Sequence, residues 1–216
     1  MIKSLVHQQD LLADKVDMQL LSPGVFLLPQ AANSSALLAQ IAQITVTAPF
    51  RHMAVNGGKA MSVAMTNCGG LGWTSSSAGY QYTRLDPQSG KPWPAMPAAF
   101  KQLASGCAHR CGFANFEPDA CLINRYLGPA QMGLHQDKDE RDFSQPIVSV
   151  SLGDSAVFLL GSNQRKGKVQ TLHLSDGDVL VWGGVARLYF HGVRSPEANA
   201  SGQTPVRFNL TFRRAG

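Results

Sequence analysis

The chain has 216 residues, of which 44% are hydrophobic and 15% charged, and this balance excludes a disordered or fibrous protein. The length predicts a single domain, residues 1–216, that is large enough to bury a core. No apolar run approaches the roughly 20 residues that cross a bilayer. Residues 1–15 also lack the apolar segment of a secretory signal, so we expect a cytoplasmic protein with no membrane contact.

The formal net charge of the chain is +5. The basic excess lies in the last quarter, because residues 161–216 contain eight Lys or Arg against three Asp or Glu. This asymmetry is compatible with a polyanionic partner such as nucleic acid. Many proteins without such a partner are equally basic, so the charge alone does not identify one.

Two helices are predicted in the amino-terminal half. Asn33 can cap a helix that ends before Pro49 and carries four apolar residues on one face: Leu37, Leu38, Ile41 and Ile44. A second helix is expected to start at Pro97, a favoured first helical position, and to stop near Gly112.

The four cysteines are expected to be free thiols, since a reducing cytosol does not maintain a disulfide framework in a chain of this length. Cys107 and Cys111 are four residues apart, a spacing compatible with metal ligation. They also extend the apolar face of the second predicted helix, which favours core packing. We interpret Cys68 and Cys121 as buried thiols.

The segment between the two helices, about residues 50–95, is rich in glycine and proline, and we predict it to be irregular. Trp73, Tyr80, Tyr82 and Trp93 are spread along it. Long loops in compact domains tend to be either functional or disordered, and this aromatic content argues against disorder. Core packing remains an alternative for Trp73.

After residue 119 the pattern changes to short strands separated by turns, and the 21 glycines and 12 prolines of the chain suit such a fold. The pattern predicts a mostly β protein with a double-sheet sandwich or jelly roll over about 119–213 and with helices packed outside it. The seven predicted strands are Ala120–Tyr126, Ile147–Leu152, Ala156–Leu160, Val169–Leu174, Val179–Trp182, Leu188–Phe190 and Val206–Arg213.

His135 and Asp137 are two residues apart, so in an extended chain both side chains point to the same side. An H-x-D triplet alone is weak, because it occurs in many unrelated proteins. His191 strengthens it, since this second imidazole falls on a predicted strand end. Two imidazoles and one carboxylate on a β scaffold match the facial triad of non-haem Fe(II) oxygenases.

The last predicted strand has an apolar face and a polar face, and Arg207, Asn209 and Arg213 share the polar one. For an isolated strand, this pattern is more typical of a solvent-facing surface. The two arginines are separated by ~20 Å along the strand at ~3.3 Å per residue. Long side chains could narrow this gap around a small dicarboxylate, which a planar guanidinium can hold bidentately.

Several longer strings resemble the AlkB family of Fe(II)/2-oxoglutarate-dependent dioxygenases, and the resemblance covers roughly residues 45–216. These strings are much more specific than H-x-D. They are Met61–Gly69, Pro92–Pro97, Pro118–Tyr126, Leu134–Glu140, Val181–Gly184 and Arg207–Gly216.

The resemblance implies a double-stranded β-helix (jelly roll) core and a nucleotide-recognition lid over about 50–95. It implies that iron is held by His135, Asp137 and His191. The residues it implies for 2-oxoglutarate are Asn124, Tyr126, Arg207, Asn209 and Arg213. The residues it implies for the damaged nucleotide are Trp73, Tyr80, Gln81, Tyr82, Asp139 and Arg165, where Arg165 falls in a loop of variable length.

The family's activity is the oxidative demethylation of N-alkylated bases such as 1-methyladenine and 3-methylcytosine, coupled to decarboxylation of 2-oxoglutarate. The reaction consumes O2 and releases succinate and formaldehyde. Its role in this family is the repair of alkylated DNA. We therefore expect alkylated DNA as the partner, preferably single-stranded, with RNA as a second substrate class. A monomer is the default expectation.

Two other functions stay open. The first is a 2-oxoglutarate-dependent hydroxylase of a small molecule or of a protein side chain, which would have no use for the basic last quarter. The second is a sandwich that binds nucleic acid without metal or catalysis. At the residue level, the charge run that contains Asp139 and Glu140 would ordinarily be a solvated turn, and Trp182 is expected to be core or pocket wall.

Overall fold

The computed structural model describes residues 18–55, 57–198 and 202–216. The expectation about a secretory signal in residues 1–15 therefore lies outside the described residues. None of the helices within those ranges is long and apolar enough to cross a membrane.

The described ranges contain two α-helices, a short 3-10 helix and fourteen strands. The helices are α1 (Ser34–Thr47), α2 (Ala98–Arg110) and the 3-10 helix Gly184–Ala186. The first seven strands are β1 (Gln19–Ser22), β2 (Val25–Leu28), β3 (Arg51–Ala54), β4 (Ala60–Gly69), β5 (Gly72–Ser76), β6 (Gly79–Thr83) and β7 (Ala120–Leu127). The last seven are β8 (Met132–His135), β9 (Ile147–Gly153), β10 (Ala156–Leu160), β11 (Gln170–Leu174), β12 (Val179–Trp182), β13 (His191–Pro196) and β14 (Val206–Arg213).

These strands form two facing sheets and one separate hairpin. The large sheet has eight strands in the order β1-β2-β12-β9-β14-β7-β4-β3, and the small sheet has four in the order β11-β10-β13-β8. A buried cluster joins their inner faces, with Leu122, Ile147 and Trp182 from the large sheet against Phe158 and Leu160 from the small one. The predicted mostly β double-sheet fold is confirmed.

Both helices pack against the outer face of the large sheet, as predicted. A second buried cluster contains Ile41 of α1 and Phe100 of α2 together with Val148, Leu210 and Phe212 of the sheet. The ring of Phe100 meets that of Phe212 edge-on, with centroids 5.8 Å apart. The helices therefore cover one side of the sheet, and the space between the two sheets remains for a pocket.

The starts of both helices lie within one residue of their predicted positions. The Asn33 side chain accepts a hydrogen bond from the backbone N–H of Ala36 at 3.3 Å, which confirms the predicted cap of α1. Pro97 is the capping residue of α2 and Ala98 is its first helical residue, so the predicted start is one residue early. Cys107 and Cys111 lie buried at the end of α2 and are free, as are Cys68 and Cys121.

The expectation of an irregular stretch over about 50–95 was wrong, because this stretch contains β3, β4, β5 and β6. Strand β4 is buried on both faces from Val63 to Cys68, so it lacks the alternation that identifies a half-exposed strand. Strands β5 and β6 form the separate hairpin, Gly72–Thr83. The hairpin starts at a glycine because a Cβ on Gly72 would overlap the indole of Trp93.

One predicted strand was misplaced. Residues 188–190 lead out of the 3-10 helix, and the strand that follows begins at His191. The Tyr189 N–H donates to the carbonyl of Ala186 at 2.9 Å, so this segment belongs to a turn. Leu188 to Phe190 are partly buried, which accounts for their apolar character. Phe190 exchanges backbone hydrogen bonds with Gly161 and Ser162 just before the strand begins.

Candidate active site

The two predicted histidines are cross-strand partners in the small sheet. His135 is the last residue of β8, His191 is the first of β13, and the two are paired in the register of these strands. Asp137 lies two residues beyond β8 and contacts both imidazoles. Its Oδ1 is 3.6 Å from His135 Nε2 and its Oδ2 is 3.7 Å from His191 Nε2. One ligand atom from each of the three residues lies within 4.8 Å of the others.

The backbone fixes which imidazole nitrogen faces the cavity. Nδ1 of His135 is 2.9 Å from the carbonyl of Gly133, and Nδ1 of His191 is 3.0 Å from the carbonyl of Tyr189. Since a carbonyl only accepts, each Nδ1 carries a proton and each Nε2 presents a lone pair. This is the arrangement of metal-binding histidines. The three side chains therefore fit a divalent iron ion, which His135, Asp137 and His191 would hold.

The protonation states suit metal binding at neutral pH. Burial, followed by the neighbouring His135, lowers the pKa of His191 to about 4, so its imidazole is neutral. Burial alone would raise the pKa of Asp137, but the Arg213 guanidinium and the two histidines hold it below its ordinary value. Asp137 is therefore ionised and His191 is neutral, and both states suit a metal ligand.

Strand β14 brings its polar face into the interior, so the alternative of a solvent-facing strand is wrong. Arg207, Asn209 and Arg213 are 1%, 5% and 5% exposed. Arg213 donates to Asp137 Oδ2 from Nε at 2.9 Å and from Nη2 at 2.6 Å. A charge pair buried this deeply needs such geometry to offset its lost hydration.

The residues expected to bind 2-oxoglutarate lie on neighbouring strands. In the pairing of β14 with β7, Arg207 is opposite Tyr126 and Asn209 is opposite Asn124. All of them except Arg207 line a cavity of about 620 Å³ that also contains the His135, Asp137 and His191 side chains. The Arg207 guanidinium lies 5.2 Å from the centroid of the Tyr126 ring. It donates to Ser151 Oγ at 2.9 Å, while its Nε and Nη1 have no hydrogen-bond partner in the described part of the chain.

The hairpin β5–β6 places two of the predicted substrate residues at the cavity mouth. The rings of Trp73 and Tyr80 stack with centroids 5.5 Å apart and planes 23° apart. Trp73 Nε1 donates to Asp139 Oδ2 at 2.8 Å. Trp73, Tyr80 and Asp139 all line the cavity, and so does Arg165, whose guanidinium lies 5.7 Å from the Phe190 ring.

Gln81 and Tyr82 belong to the same hairpin but are not among the residues that line the cavity. Gln81 is exposed, and its backbone carbonyl accepts a hydrogen bond from Thr74 Oγ1 at 3.2 Å. Tyr82 points the other way, and its hydroxyl donates to Glu140 Oε1 at 2.6 Å. Burial raises the pKa of Tyr82 well above its usual value, so the hydroxyl stays protonated and can donate.

Two buried charges beside the site, Glu140 and Arg187, were not predicted from the sequence. Glu140 is 6% exposed and Arg187 is 3% exposed, so the expected solvated turn is wrong for Glu140. Their side chains form an ion pair at 3.0 Å. Trp182 is 2% exposed and lines the cavity, with its ring centroid 5.0 Å from that of His191, so it is both core and pocket wall.

The chain is similar to known proteins over most of its length, and residues 24–213 match the model of the 2OG-Fe(II) oxygenase superfamily. It is 48% identical over 211 residues to the alpha-ketoglutarate-dependent dioxygenase AlkB of Escherichia coli (strain K12), which covers 96% of this chain and 98% of that protein. It is 39% identical over 173 residues to the DNA N(6)-methyladenine demethylase ALKBH1C of Arabidopsis thaliana, covering 68% of this chain and 38% of that protein. A solved structure of OsALKBH1 matches with a TM-score of 0.80 at 29% identity, covering 92% of this chain and 100% of that one.

These similarities agree with the geometry of the cavity. The matched range contains both histidines, the aspartate and the two arginines of β14. The ligand set also has the composition that non-haem Fe(II) oxygenases require. The chain therefore belongs to the 2OG-Fe(II) oxygenase superfamily and, within it, to the AlkB family of 2-oxoglutarate-dependent dioxygenases.

Proposed function

We propose that this dioxygenase demethylates N-alkylated nucleobases in DNA. Fe(II), 2-oxoglutarate and O2 are the cofactor and cosubstrates of its family. The observation that carries the proposal is the pair of stacked rings, Trp73 and Tyr80, on a hairpin that covers the cavity containing His135, Asp137 and His191. An enzyme that modifies a base must take it out of the stack, and flat aromatic rings replace the lost stacking.

The protein's task in this reaction is to bind and orient, since the oxidising power comes from the cofactor and cosubstrates. Bound Fe(II) with 2-oxoglutarate and O2 supplies the oxidation of the N-methyl carbon, which leaves as formaldehyde while 2-oxoglutarate becomes succinate and CO2. The residues that would hold the iron are His135, Asp137 and His191. Their ligand atoms lie within 4.8 Å of one another, which supports this assignment.

Strands β7 and β14 would hold 2-oxoglutarate through Asn124, Tyr126, Arg207, Asn209 and Arg213. Arg207 supports this role because its Nε and Nη1 are buried without a partner among the described residues, and a carboxylate would satisfy both. Burial raises the pKa of Tyr126, so its hydroxyl remains protonated and can donate.

The hairpin and the loops beside it would hold the base. Trp73 and Tyr80 offer ring faces, and Asp139 offers a carboxylate that would favour cationic lesions such as 1-methyladenine and 3-methylcytosine. Arg165 at the cavity wall would contact the flanking backbone. Gln81 would contact the nucleotide outside the cavity from its exposed position, and Tyr82 would support the site through its bond to Glu140.

The finer partner assignments belong to the same proposal. A single-stranded substrate is favoured because it carries no pairing that must be broken before the base enters the cavity. The basic residues Arg165, Lys166 and Lys168 form one loop beside the cavity and would neutralise phosphates of DNA or RNA. We propose a monomer that acts in the cytoplasm.

The direct test is mass spectrometry of a mixed panel of methylated oligonucleotides after incubation with Fe(II), 2-oxoglutarate and ascorbate. We expect loss of a methyl mass from 1-methyladenine and 3-methylcytosine, with succinate and formaldehyde released together. Succinate formation stimulated by a small molecule or a peptide, without any demethylated oligonucleotide, would favour the alternative hydroxylase. Binding of the oligonucleotides with no succinate and no formaldehyde would leave only the non-catalytic reading.

A further inference from the structure

A buried positive charge lies behind the proposed iron site. Arg187 follows the 3-10 helix, and its residue exposure is 3%. Burying a guanidinium is costly unless its N–H groups find acceptors. Its Nε donates to the carbonyl of Gln145 at 2.9 Å, Nη1 to the carbonyl of Asp137 at 2.8 Å, and Nη2 to Glu140 Oε2 at 3.0 Å. All three acceptors lie in residues 136–146, the loop between β8 and β9, which we call the ligand loop.

Glu140 connects Arg187 to the cavity side of the ligand loop. Its other oxygen, Oε1, accepts from the Tyr82 hydroxyl at 2.6 Å and lies 3.3 Å from Arg213 Nε. Arg213 in turn holds the carboxylate of Asp137 at 2.6 Å. Asp137 is therefore fixed twice, at its carbonyl by Arg187 and at its carboxylate by Arg213.

The four charged groups form a buried set with no net charge. Arg187 and Arg213 are balanced by Asp137 and Glu140, and Glu140 contacts both guanidinium groups. A further hydrogen bond holds the start of the ligand loop, where Gln136 Nε2 donates to the backbone carbonyl of Leu188 at 2.6 Å. The residues on either side of Asp137 are thus tied to the segment 187–188.

We propose that Arg187 and Glu140 are positioning residues of the metal site. They hold the main chain at residues 137–140 so that the Asp137 carboxylate faces the two histidines and Asp139 faces Trp73. Arg187 is not among the residues that line the cavity, so it acts only through the ligand loop. The inference rests on the proposed iron site, and it assigns the support that keeps the carboxylate ligand preorganised.

The first test replaces Arg187 by lysine, which keeps the charge and loses the planar fork that reaches three acceptors. The measurement is the affinity of the full chain for Mn(II) alone, by titration calorimetry, so that it does not depend on turnover. We expect Arg187→Lys to bind Mn(II) about 10- to 100-fold more weakly than the wild-type protein, the loss typical of groups that support a metal ligand.

The matched control is Arg51→Lys. This substitution weakens a partly buried ion pair, Arg51 Nη1 with Asp86 Oδ1 at 2.7 Å, which has no hydrogen bond to the ligand loop among the described contacts. We expect the control to lower the Tm while leaving the Mn(II) affinity unchanged. A purely structural role for Arg187 would give the same pattern in both variants.

A double variant separates stability from positioning. Arg187→Met alone leaves Glu140 with one fewer cation, whereas Arg187→Met with Glu140→Gln removes both charges and keeps an amide oxygen for Tyr82 and Arg213. We expect the double variant to recover Tm relative to Arg187→Met but to keep the weak Mn(II) binding, because the Asp137 carbonyl still lacks its donor.

Wild-type Mn(II) affinity in Arg187→Lys, or recovery of that affinity along with Tm in the double variant, would overturn the inference. If the wild-type protein itself bound no Mn(II), the proposed iron site would fail first and the inference would fall with it. The two failures are therefore distinguished by the wild-type titration.

Discussion

The carboxylate of Asp137 has two imidazoles on one side and the guanidinium of Arg213 on the other. The guanidinium keeps the carboxylate ionised, and the carboxylate oxygens lie 3.6 and 3.7 Å from the two imidazole Nε2 atoms. The same carboxylate would serve as an iron ligand together with these two nitrogens. A single side chain thus links the metal position to the strand that would hold 2-oxoglutarate.

Trp73 is the residue through which the hairpin would recognise a base. Trp73→Ala removes the ring stacked with Tyr80, and base stacking of this kind contributes about 1–3 kcal/mol. We expect the KM for a methylated oligonucleotide to rise roughly 5- to 150-fold, while the KM for 2-oxoglutarate stays the same. Steady-state kinetics with each substrate varied in turn measures both.

Trp73→Phe is the control for this prediction, because it keeps a flat ring and loses only the bond from Nε1 to Asp139. We expect it to restore most of the oligonucleotide affinity. Equal increases in both KM values for Trp73→Ala would indicate a folding defect and contradict the assignment of Trp73 to the base.

The residues of the candidate site were predictable to different degrees. The close approach of His135 to Asp137 follows from their spacing on an extended chain. The strand pattern put His191 at the end of a strand, whereas it begins one, so its place in the site followed from the family resemblance. The burial of Glu140 and Arg187 could not be predicted. Glu140 belongs to a run of mixed charges, a pattern typical of a solvated turn. Its burial depends on a partner 47 residues further along the chain, which only the tertiary structure reveals.

At the scale of elements, β14 joins the large sheet between β9 and β7 and carries the proposed cosubstrate residues. Burial lowers the pKa of Arg207, and it still has two nitrogens free of partners in the described residues. Arg207→Lys replaces the fork by a single ammonium, which cannot hold a carboxylate bidentately. We expect the Kd for 2-oxoglutarate to rise roughly 10-fold or more, at a cost of about 1.4 kcal/mol per tenfold.

Fluorescence or calorimetric titration with 2-oxoglutarate checks this prediction without turnover. Arg125→Lys on β7 serves as the control, since its guanidinium lies over the Phe50 ring at 4.6 Å, and it is not among the cavity-lining residues. An unchanged 2-oxoglutarate affinity in Arg207→Lys would remove this arginine from the site.

Helix α2 and strands β4 and β7 bury all four thiols, which makes cysteine chemistry a measure of their packing. Burial raises the pKa of Cys107 to about 11 and that of Cys111 to about 12. Because the thiolate is the reactive form, reaction at pH 8 should be negligible and should increase only as the pH approaches these values.

A disulfide reagent such as dithiobisnitrobenzoate provides the measurement. We expect no thiol to react in the native protein at pH 8 and all four to react after addition of denaturant. A rapidly reacting thiol in the native state would show that the end of α2 is open, contrary to the structure.

The strands themselves show where element prediction succeeds and fails. Val179–Trp182 and Val206–Arg213 were predicted with their observed bounds, because turn residues flank both. Strand β4 was missed because burial on both faces removes the alternation on which the prediction depends. Strand β8 was also not predicted. It is only four residues long, which is too short for an alternating pattern to be recognised.

At the scale of the whole molecule, helices cover the outer face of the large sheet, and the cavity on its other side is lined by both sheets and by the hairpin. The basic loop 165–168 lies on this side, as Arg165 lines the cavity. If the substrate is nucleic acid, its phosphates meet this charge, and the affinity should depend steeply on salt. A small-molecule or peptide substrate would not require this.

We therefore expect log K for a single-stranded methylated oligonucleotide to fall linearly with log salt, by about 0.7 for each phosphate contact. Replacing both Lys166 and Lys168 by alanine should flatten this slope, whereas Lys101→Ala on the outer helix α2 should not. Fluorescence anisotropy over a salt series gives the slopes. A slope near zero for the wild-type protein would favour the alternative hydroxylase.

The most direct test of the proposed iron site is anaerobic absorption spectroscopy of the protein with Fe(II), because Fe(II) bound to a 2-oxo acid gives a visible charge-transfer band. We predict that this band appears when 2-oxoglutarate is added to the wild-type protein, is lost in Asp137→Ala, and persists in Asp142→Ala, whose side chain is exposed on the same loop. No band in the wild-type protein, or an undiminished band in Asp137→Ala, would contradict it.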